Sequence, residues 1–367
     1  MRGWRVPGGF TATLCAGAIL LAAAVLFDAE ALYVPGIALV VLTLGACAWV
    51  LTGTLGTTVE RLLETRRALE DEPVEVTVLA RPGVTILPGT ELADPLLNEP
   101  LLLRPAAGIH RVRIEVRFSR RGRRVLPPPA LEVSDPFALV RGRVDGRGDD
   151  QVLLILPRIE PVIAATTGGD AAHLGRRRSA VAAAETEIDG LRPHRQGAPA
   201  SRIFWPALAR GGELLERRMR PEADARPLIA LDTSGATSEE DVDAAVRATA
   251  SLAIHLSRQG GCALLLPGDR RPTLLDPPLQ GWAQLHVRLA LLGGGETPSA
   301  GALAARRGPL IWVSARRAER MPRALSQAGA TARTLVVPGR LPSRRAAFSV
   351  AGCTGYSIAA GELIEAA

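Results

Sequence analysis

The stretch Arg226-Pro227-Leu228-Ile229-Ala230-Leu231-Asp232-Thr233-Ser234-Gly235-Ala236-Thr237-Ser238-Glu239-Glu240-Asp241 decides how the back of this chain folds. Four apolar residues end in an acid, a hydroxyl-rich loop follows, and three acids then open a helical pattern. Leu228–Leu231 read as a buried strand, and Ser238 reads as the N-cap of a helix with Asp241 three residues on, in the manner of a capping box. The helical pattern runs through Val242, Val246, Thr249 and Leu252 to about Arg258, where Gly260-Gly261 stops it. Beyond it come a second buried strand, Cys262–Leu266, a helix over Trp282–Leu292, and strands at Leu310–Val313 and Leu335–Val337. Strands alternating with helices predict a parallel sheet with right-handed crossovers. Ligands of such sheets sit beyond the carboxyl ends of the strands, which is where Asp232 falls.

Upstream the period changes. Pro73–Ala80 alternates, and Arg111, Arg113, Glu115 and Arg117 interleave with Val112, Ile114, Val116 and Phe118. Period two with β-branched residues on one side means half-buried strands. Pro82-Gly83, Pro88-Gly89 and Pro127–Pro129 mark turns, and the apolar run Val152–Leu156 closes the segment. An antiparallel β-sandwich is expected here. Only the charged stretch VERLLETRRALED, from Val59, reads as a short helix.

At the front, Phe10–Phe27 carries no charge, and after Asp28, Ala29 and Glu30 a second uncharged run extends from Ala31 through Leu51 to Thr58. Each is long enough, or nearly so, to cross about 30 Å of hydrocarbon as a helix. A cleaved signal peptide would not be trailed at once by a second span, so a two-helix transmembrane hairpin is expected. Arg2 and Arg5 precede it and Arg61, Arg66 and Arg67 follow it, whereas the link carries only acids. The positive-inside rule places both ends, and the soluble part of the chain, in the cytoplasm. The expected segments are residues 1–58 (hairpin), 59–165 (β-rich), 166–225 (arginine- and glycine-rich connection) and 226–367 (α/β).

Composition removes several functions. All 44 basic residues are arginine, so no P-loop lysine, Schiff-base lysine or kinase-type lysine–glutamate pair exists. Cys15, Cys47, Cys262 and Cys353 stand far apart, and the five histidines are scattered, which indicates neither a zinc site nor a disulfide framework. The formal charge of +7 is unevenly spread: residues 111–147 hold ten arginines against four acids. That basic β-region admits an anionic lipid surface or nucleic acid as partner. A solvated strand face and hairpin tip is the preferred reading, and no aromatic stacking platform accompanies the arginines, so nucleic acid is not expected. A hydrolytic enzyme would have to use the Asp232 cleft, where only the hydroxyls of Thr233, Ser234 and Thr297 join the acid. No histidine stands there to serve as base, and no catalytic residue is assigned.

A set of motifs in chain order carries a resemblance. It comprises Ser119-Arg120-Arg121-Gly122-Arg123, Ser134-Asp135-Pro136-Phe137-Ala138-Leu139, and Leu191-Arg192-Pro193-His194-Arg195-Gln196-Gly197. Ser201-Arg202-Ile203-Phe204-Trp205, Ala209-Arg210, Gly211-Gly212-Glu213-Leu214 and Leu231-Asp232-Thr233-Ser234 complete it. Together these resemble the bacterial "domain of unknown function 58" family over nearly the whole chain. The resemblance implies an N-terminal membrane hairpin, a β-rich segment and a von Willebrand factor A-like domain. It also implies an adaptor that works with a MoxR-type AAA+ ATPase in envelope-protein maturation.

The chain departs from that family's pattern in ways that bear on metal. Gly197-Ala198 replaces the usual Gly-Asp, Phe204 an acid, and His194 a tyrosine. The resemblance implies a divalent cation held by an Asp-x-Ser-x-Ser loop, a threonine and a later aspartate. Here Asp232 and Ser234 remain and Thr297 is available, but Ala236 removes a hydroxyl and Ser314 stands where the aspartate is expected. A magnesium site would therefore be degenerate, and no cofactor is expected. Partner binding falls instead to Arg192, Arg195, Arg202, Trp205 and Arg210, with Trp205 readable either as an exposed anchor or as a buried plug.

Overall fold

A computed structural model describes residues 2–5, 8–84, 89–104, 108–165, 188–194, 203–219, 226–304, 308–317, 330 and 332–358. The chain forms two compact units, Met1–Ile155 and Leu156–Ala367.

The first unit begins with β1 (Arg2–Arg5), followed by the apolar helices α1 (Gly8–Phe27) and α2 (Tyr33–Thr54), joined through a single 3-10 turn at Glu30–Leu32. Both helices are long and apolar enough to cross a membrane. They pack closely because glycines face each other's neighbours: a Cβ on Gly17 would lie 3.1 Å from Leu39, and one on Gly36 would lie 2.8 Å from Leu21.

Ten strands follow: β2 (Thr58–Leu63), β3 (Arg67–Leu69), β4 (Pro73–Arg81), β5 (Thr90–Ala93), β6 (Leu101–Leu103), β7 (His110–Arg117), β8 (Gly122–Leu126), β9 (Ala130–Ser134), β10 (Arg141–Asp145) and β11 (Gln151–Leu156). They form antiparallel sheets in the orders β2-β4-β7, β3-β11-β8 and β1-β10-β9-β5-β6. Alternate residues such as Val74, Val76, Val78, Ile114, Leu131 and Leu153 share one core, and the arginines of β7 stay on its solvent face.

Two findings here differ from the sequence reading or extend it. The stretch from Val59 is not a helix but β2, a turn and β3. β2 pairs with β4 along its whole length and buries Val59 and Arg61 on one side, so pairing and burial override the helical charge spacing. Moreover α2 does not stop at the sheet but runs onto it. Ala46 and Val50 pack with Val140, and a Cβ on Gly53 would lie 3.0 Å from Val133. A Cβ on Gly142 would come within 2.6 Å of Val50 and 2.8 Å of Thr54. The last two turns of α2 thereby cover β9 and β10.

Arg61 is the buried polar centre of this unit. Its Nη1 donates to both Asp94 oxygens at 3.1 Å, Nε to Gln151 at 3.1 Å, and Nη2 to the carbonyls of Leu126 and Pro127 at 2.9 and 2.6 Å.

In the second unit, β12 (Ile163–Ala164) precedes the hairpin β13 (Ile188–Pro193) and β14 (Leu215–Met219), between which lies the short helix α3 (Trp205–Ala209). Then come β15 (Leu228–Asp232), α4 (Glu239–Arg258), β16 (Cys262–Leu265), β17 (Thr273–Leu275), α5 (Trp282–Leu291) and α6 (Ala300–Ala304). Strands β18 (Leu310–Ser314), β19 (Arg333–Pro338), β20 (Phe348–Val350) and β21 (Cys353–Ile358) complete it.

The sheet is mixed rather than parallel throughout. Its order is β12-β20-β21-β19-β18-β15-β16-β17, with β19, β18, β15 and β16 mutually parallel and antiparallel strands on both flanks. β17 follows β16, and β21 follows β20, through connections too short for a crossover helix. At β20–β21 the loop is Ala351-Gly352 with φ of 49° and 77°, both left-handed, as a two-residue hairpin turn requires. Ile229 and Leu231 of β15 join the core beneath α4, whereas Leu228 and Ala230 join a second core with Trp312 and Tyr356 on the opposite face. Helix α4 begins as its sequence predicts, with the Asp241 N–H donating to Ser238 Oγ at 3.1 Å.

Candidate functional site

Asp232 is the last residue of β15, and its register partner on β18 is Ser314. Because the two strands are parallel, both residues lie at the carboxyl end of the sheet, and both are buried. The chain then turns sharply: the N–H and hydroxyl of Ser234 donate to Asp232 Oδ1 at 3.0 and 2.7 Å, and Ala315 N–H donates to the Asp232 carbonyl at 2.8 Å. One carboxylate oxygen is thus already committed to its own loop.

The loop containing Thr297 docks beside this turn. Thr233 N–H and hydroxyl donate to the Glu296 carbonyl at 2.9 and 3.1 Å, Glu296 N–H returns to the Thr233 hydroxyl at 3.2 Å, and Gly295 N–H donates to the Thr233 carbonyl at 2.9 Å. Asp232, Ser234 and the Gly293–Thr297 loop therefore meet at one sheet end. Thr297 itself is exposed.

Two arginines complete the surroundings. Arg316 and Arg317 follow β18 after Ala315 and are exposed. The Arg316 stem lies 3.2 Å from the position of a Cβ on Gly235, over the Asp232 loop. Arg317 Nε is 3.6 Å from Asp241 Oδ1. Burial pushes the Asp241 carboxyl up, but it also accepts hydroxyl hydrogen bonds from Thr237 at 2.5 Å and Ser238 at 2.9 Å and faces Arg317. The net result is a carboxyl held below its ordinary value, an anion at the start of α4. Arg316 and Arg317 escaped the sequence reading. The signal was an arginine pair immediately after a strand aligned with Asp232.

A divalent ion of the magnesium kind needs about six oxygens in near-octahedral array. Asp232, Ser234 and Thr297 supply one carboxylate and two hydroxyls, Ser314 adds a third hydroxyl, and two guanidinium groups stand nearby. Among the described residues, no group of three or more His, Cys, Asp or Glu is placed to hold a metal. One carboxylate among hydroxyls, with guanidinium groups beside it, is a poor match for a divalent-cation cage.

Of the other candidates, Trp205 opens α3 with 55% of its surface exposed, and Leu208 beside it is 43% exposed, while Ile203 is buried. Trp205 is thus exposed and not buried as a plug would be. Arg210 is exposed, Arg192 lies on β13 with its backbone alone described, and Arg195 and Arg202 lie outside the described residues.

No family model matches the chain, and no curated protein matches it. Among solved structures, a CARDB domain from Pyrococcus furiosus is similar to 27% of this chain over 94% of its own length, at 10% identity and a TM-score of 0.17. A likeness that slight carries no argument about fold or function.

Proposed function

We propose that the chain is a two-pass bacterial cytoplasmic-membrane protein with its soluble part in the cytoplasm. Its von Willebrand factor A-like unit acts as an adaptor for a protein partner, and the resemblance to the "domain of unknown function 58" family makes a MoxR-type AAA+ ATPase that partner. The observation that carries the reading is the sheet end at Asp232: a preorganised polar loop pair flanked by Arg316 and Arg317, with Glu239 and Glu240 exposed at the start of α4. Such a surface recognises a charged partner face and offers no nucleophile–base pair for chemistry. Because Arg316 stands over the loop that would hold a cation, docking in this reading is metal-independent.

The test is crosslinked affinity capture of the detergent-solubilised protein, repeated with Asp232→Ala and Arg316→Glu and with a chelator present. The expected result is an AAA+ ATPase captured by the wild-type chain, lost with either variant and indifferent to chelation. Capture abolished by chelator alone would replace this reading with a metal-dependent one, and RNA as the captured species would replace it with the basic-surface one.

A further inference from the structure

The loop joining β9 to β10, Asp135-Pro136-Phe137-Ala138-Leu139-Val140, has an uncharged apolar tip, and Phe137 leaves 62% of its surface exposed. The tip is nonetheless firmly built. Asp135, 3% exposed, accepts the N–H groups of Phe137 at 2.8 Å and Val140 at 2.6 Å, and the Ala138 N–H donates to the Asp135 carbonyl at 3.0 Å. Ala138 adopts a φ of 54° to close the turn. A rigid turn that holds an aromatic ring outward calls for an apolar surrounding.

Its position names the surrounding. Val140 is buried with Ala46 and Val50; Leu139, Phe10 of α1 and Cys47 of α2 pack against that cluster, and a Cβ on Gly9 of α1 would lie 3.7 Å from Leu139. The loop therefore lies level with the first turn of α1. From Phe10 to Phe27, α1 spans about 27 Å at 1.5 Å per residue, against a hydrocarbon layer of about 30 Å. Helix α1 is no longer than the layer it has to cross, so hydrocarbon reaches the level of Phe10, where the loop sits. Trp49, 41% exposed, lies two residues beyond Cys47, and Tyr33, 36% exposed, opens α2 at the other end; amphipathic rings mark membrane interfaces in this way. Arg141 and Arg143 are exposed on β10 just past the loop, within reach of headgroup phosphates.

We propose that Pro136–Leu139 is a membrane-dipping loop, with Phe137 inserted at the hydrocarbon boundary of the leaflet that faces the β-strands. This rests on α1 and α2 spanning the bilayer. Lipid is the occupant because the two helices that fix the height of the loop are themselves held in the membrane.

The test uses the full chain carrying Cys15→Ala and Cys47→Ala, with Cys262 and Cys353 left in place because they are buried. One spin label is added through Phe137→Cys, Val41→Cys or Asp149→Cys, and the protein is reconstituted in phosphatidylcholine–phosphatidylglycerol vesicles. Collision rates with oxygen, which partitions into lipid, and with a water-soluble nickel chelate are then compared. Oxygen should dominate at positions 137 and 41, and the chelate at 149. Chelate dominance at 137 with oxygen dominance at 41 overturns the dipping loop and leaves the membrane span standing. Chelate dominance at 41 overturns the span and the loop together. Protection of 137 from both reagents overturns the proposal in favour of a contact between copies of the chain.

Discussion

Removing the carboxylate of Asp94 is the sharpest probe of how the first unit holds together. The side chains of Arg61 and Asp94 are 1% and 0% exposed and 3.1 Å apart, and Asp94 also accepts the Leu96 N–H at 2.9 Å. Asp94→Ala strands the guanidinium without a counter-charge, which costs about 3–5 kcal/mol in buried pairs. Even the lower figure shifts the folding equilibrium by on the order of a hundredfold. Replacing both partners, Arg61→Met with Asp94→Leu, removes the charge altogether. That double variant leaves the carbonyls of Leu126 and Pro127 without their donor, at about 1–3 kcal/mol per unsatisfied group, so it should recover part of the loss but not all. Glu60→Ala serves as the reference, because the Arg81–Glu60 pair is 53% and 43% exposed and such pairs contribute about 0–1 kcal/mol. Pulse proteolysis of the detergent-solubilised protein across a urea series, with cleavage mapped to residues 59–155, reads the three variants directly. If Asp94→Ala shifts the midpoint no further than Glu60→Ala, the reasoning about this buried pair is wrong.

Other outcomes follow from the same structure. Ser238→Ala removes the acceptor for Asp241 N–H and should cost about 1 kcal/mol, measured as a lowered unfolding midpoint of the second unit. Gly142→Leu drives a side chain into Val50 and Thr54 and should destabilise the first unit by about 1–3 kcal/mol, whereas Gly108→Ala, which meets nothing, should cost less by the same proteolysis assay. Burial holds His255 and His286 below their ordinary 6.5, in His286 against the pull of its hydrogen bond to the Pro157 carbonyl at 2.8 Å. The unfolded chain then binds more protons than the folded one below pH 6.5, so stability of the second unit should be level above that pH and fall as pH drops through it. Burial also pushes the thiols of Cys262 and Cys353 up to about 12, so maleimide at pH 8 should label neither until urea unfolds the unit, as mass spectrometry would show.

Elements announced by local chemistry were legible in the sequence. Ser238 three residues before Asp241 declared the start of α4, and Gly260-Gly261 its end. Charge-free runs declared α1 and α2, and β7 declared itself by strict alternation. What failed depended on partners far along the chain. Nothing near Val59 tells that Arg61 will meet Asp94, Leu126 and Gln151, so the charges between residues 60 and 71 looked like a helix surface. The same burial qualifies the counting of charges beside the apolar helices, because Arg61 ends in a core while Arg66 and Arg67 stay exposed. Orientation signals act on the chain before it folds, so Arg61 still counts toward topology. At the site, Asp232 was legible because strand ends are predictable, and the Thr297 loop was reached only through the family resemblance. Arg316 and Arg317 were not, since their role depends on β18 lying beside β15 rather than elsewhere in the sheet.

Helix α2 carries an implication for how the protein is made. Val133, Val140 and Gly142 are covered by the far end of a helix that leaves the ribosome some eighty residues before them. A chain synthesised without its hairpin would finish β9 and β10 with their helix-facing side bare, and a cytoplasmic version starting at Thr58 would keep that side open to water. Helix α2 is thus finished before the sheet is, and it is the template on which β9 and β10 settle.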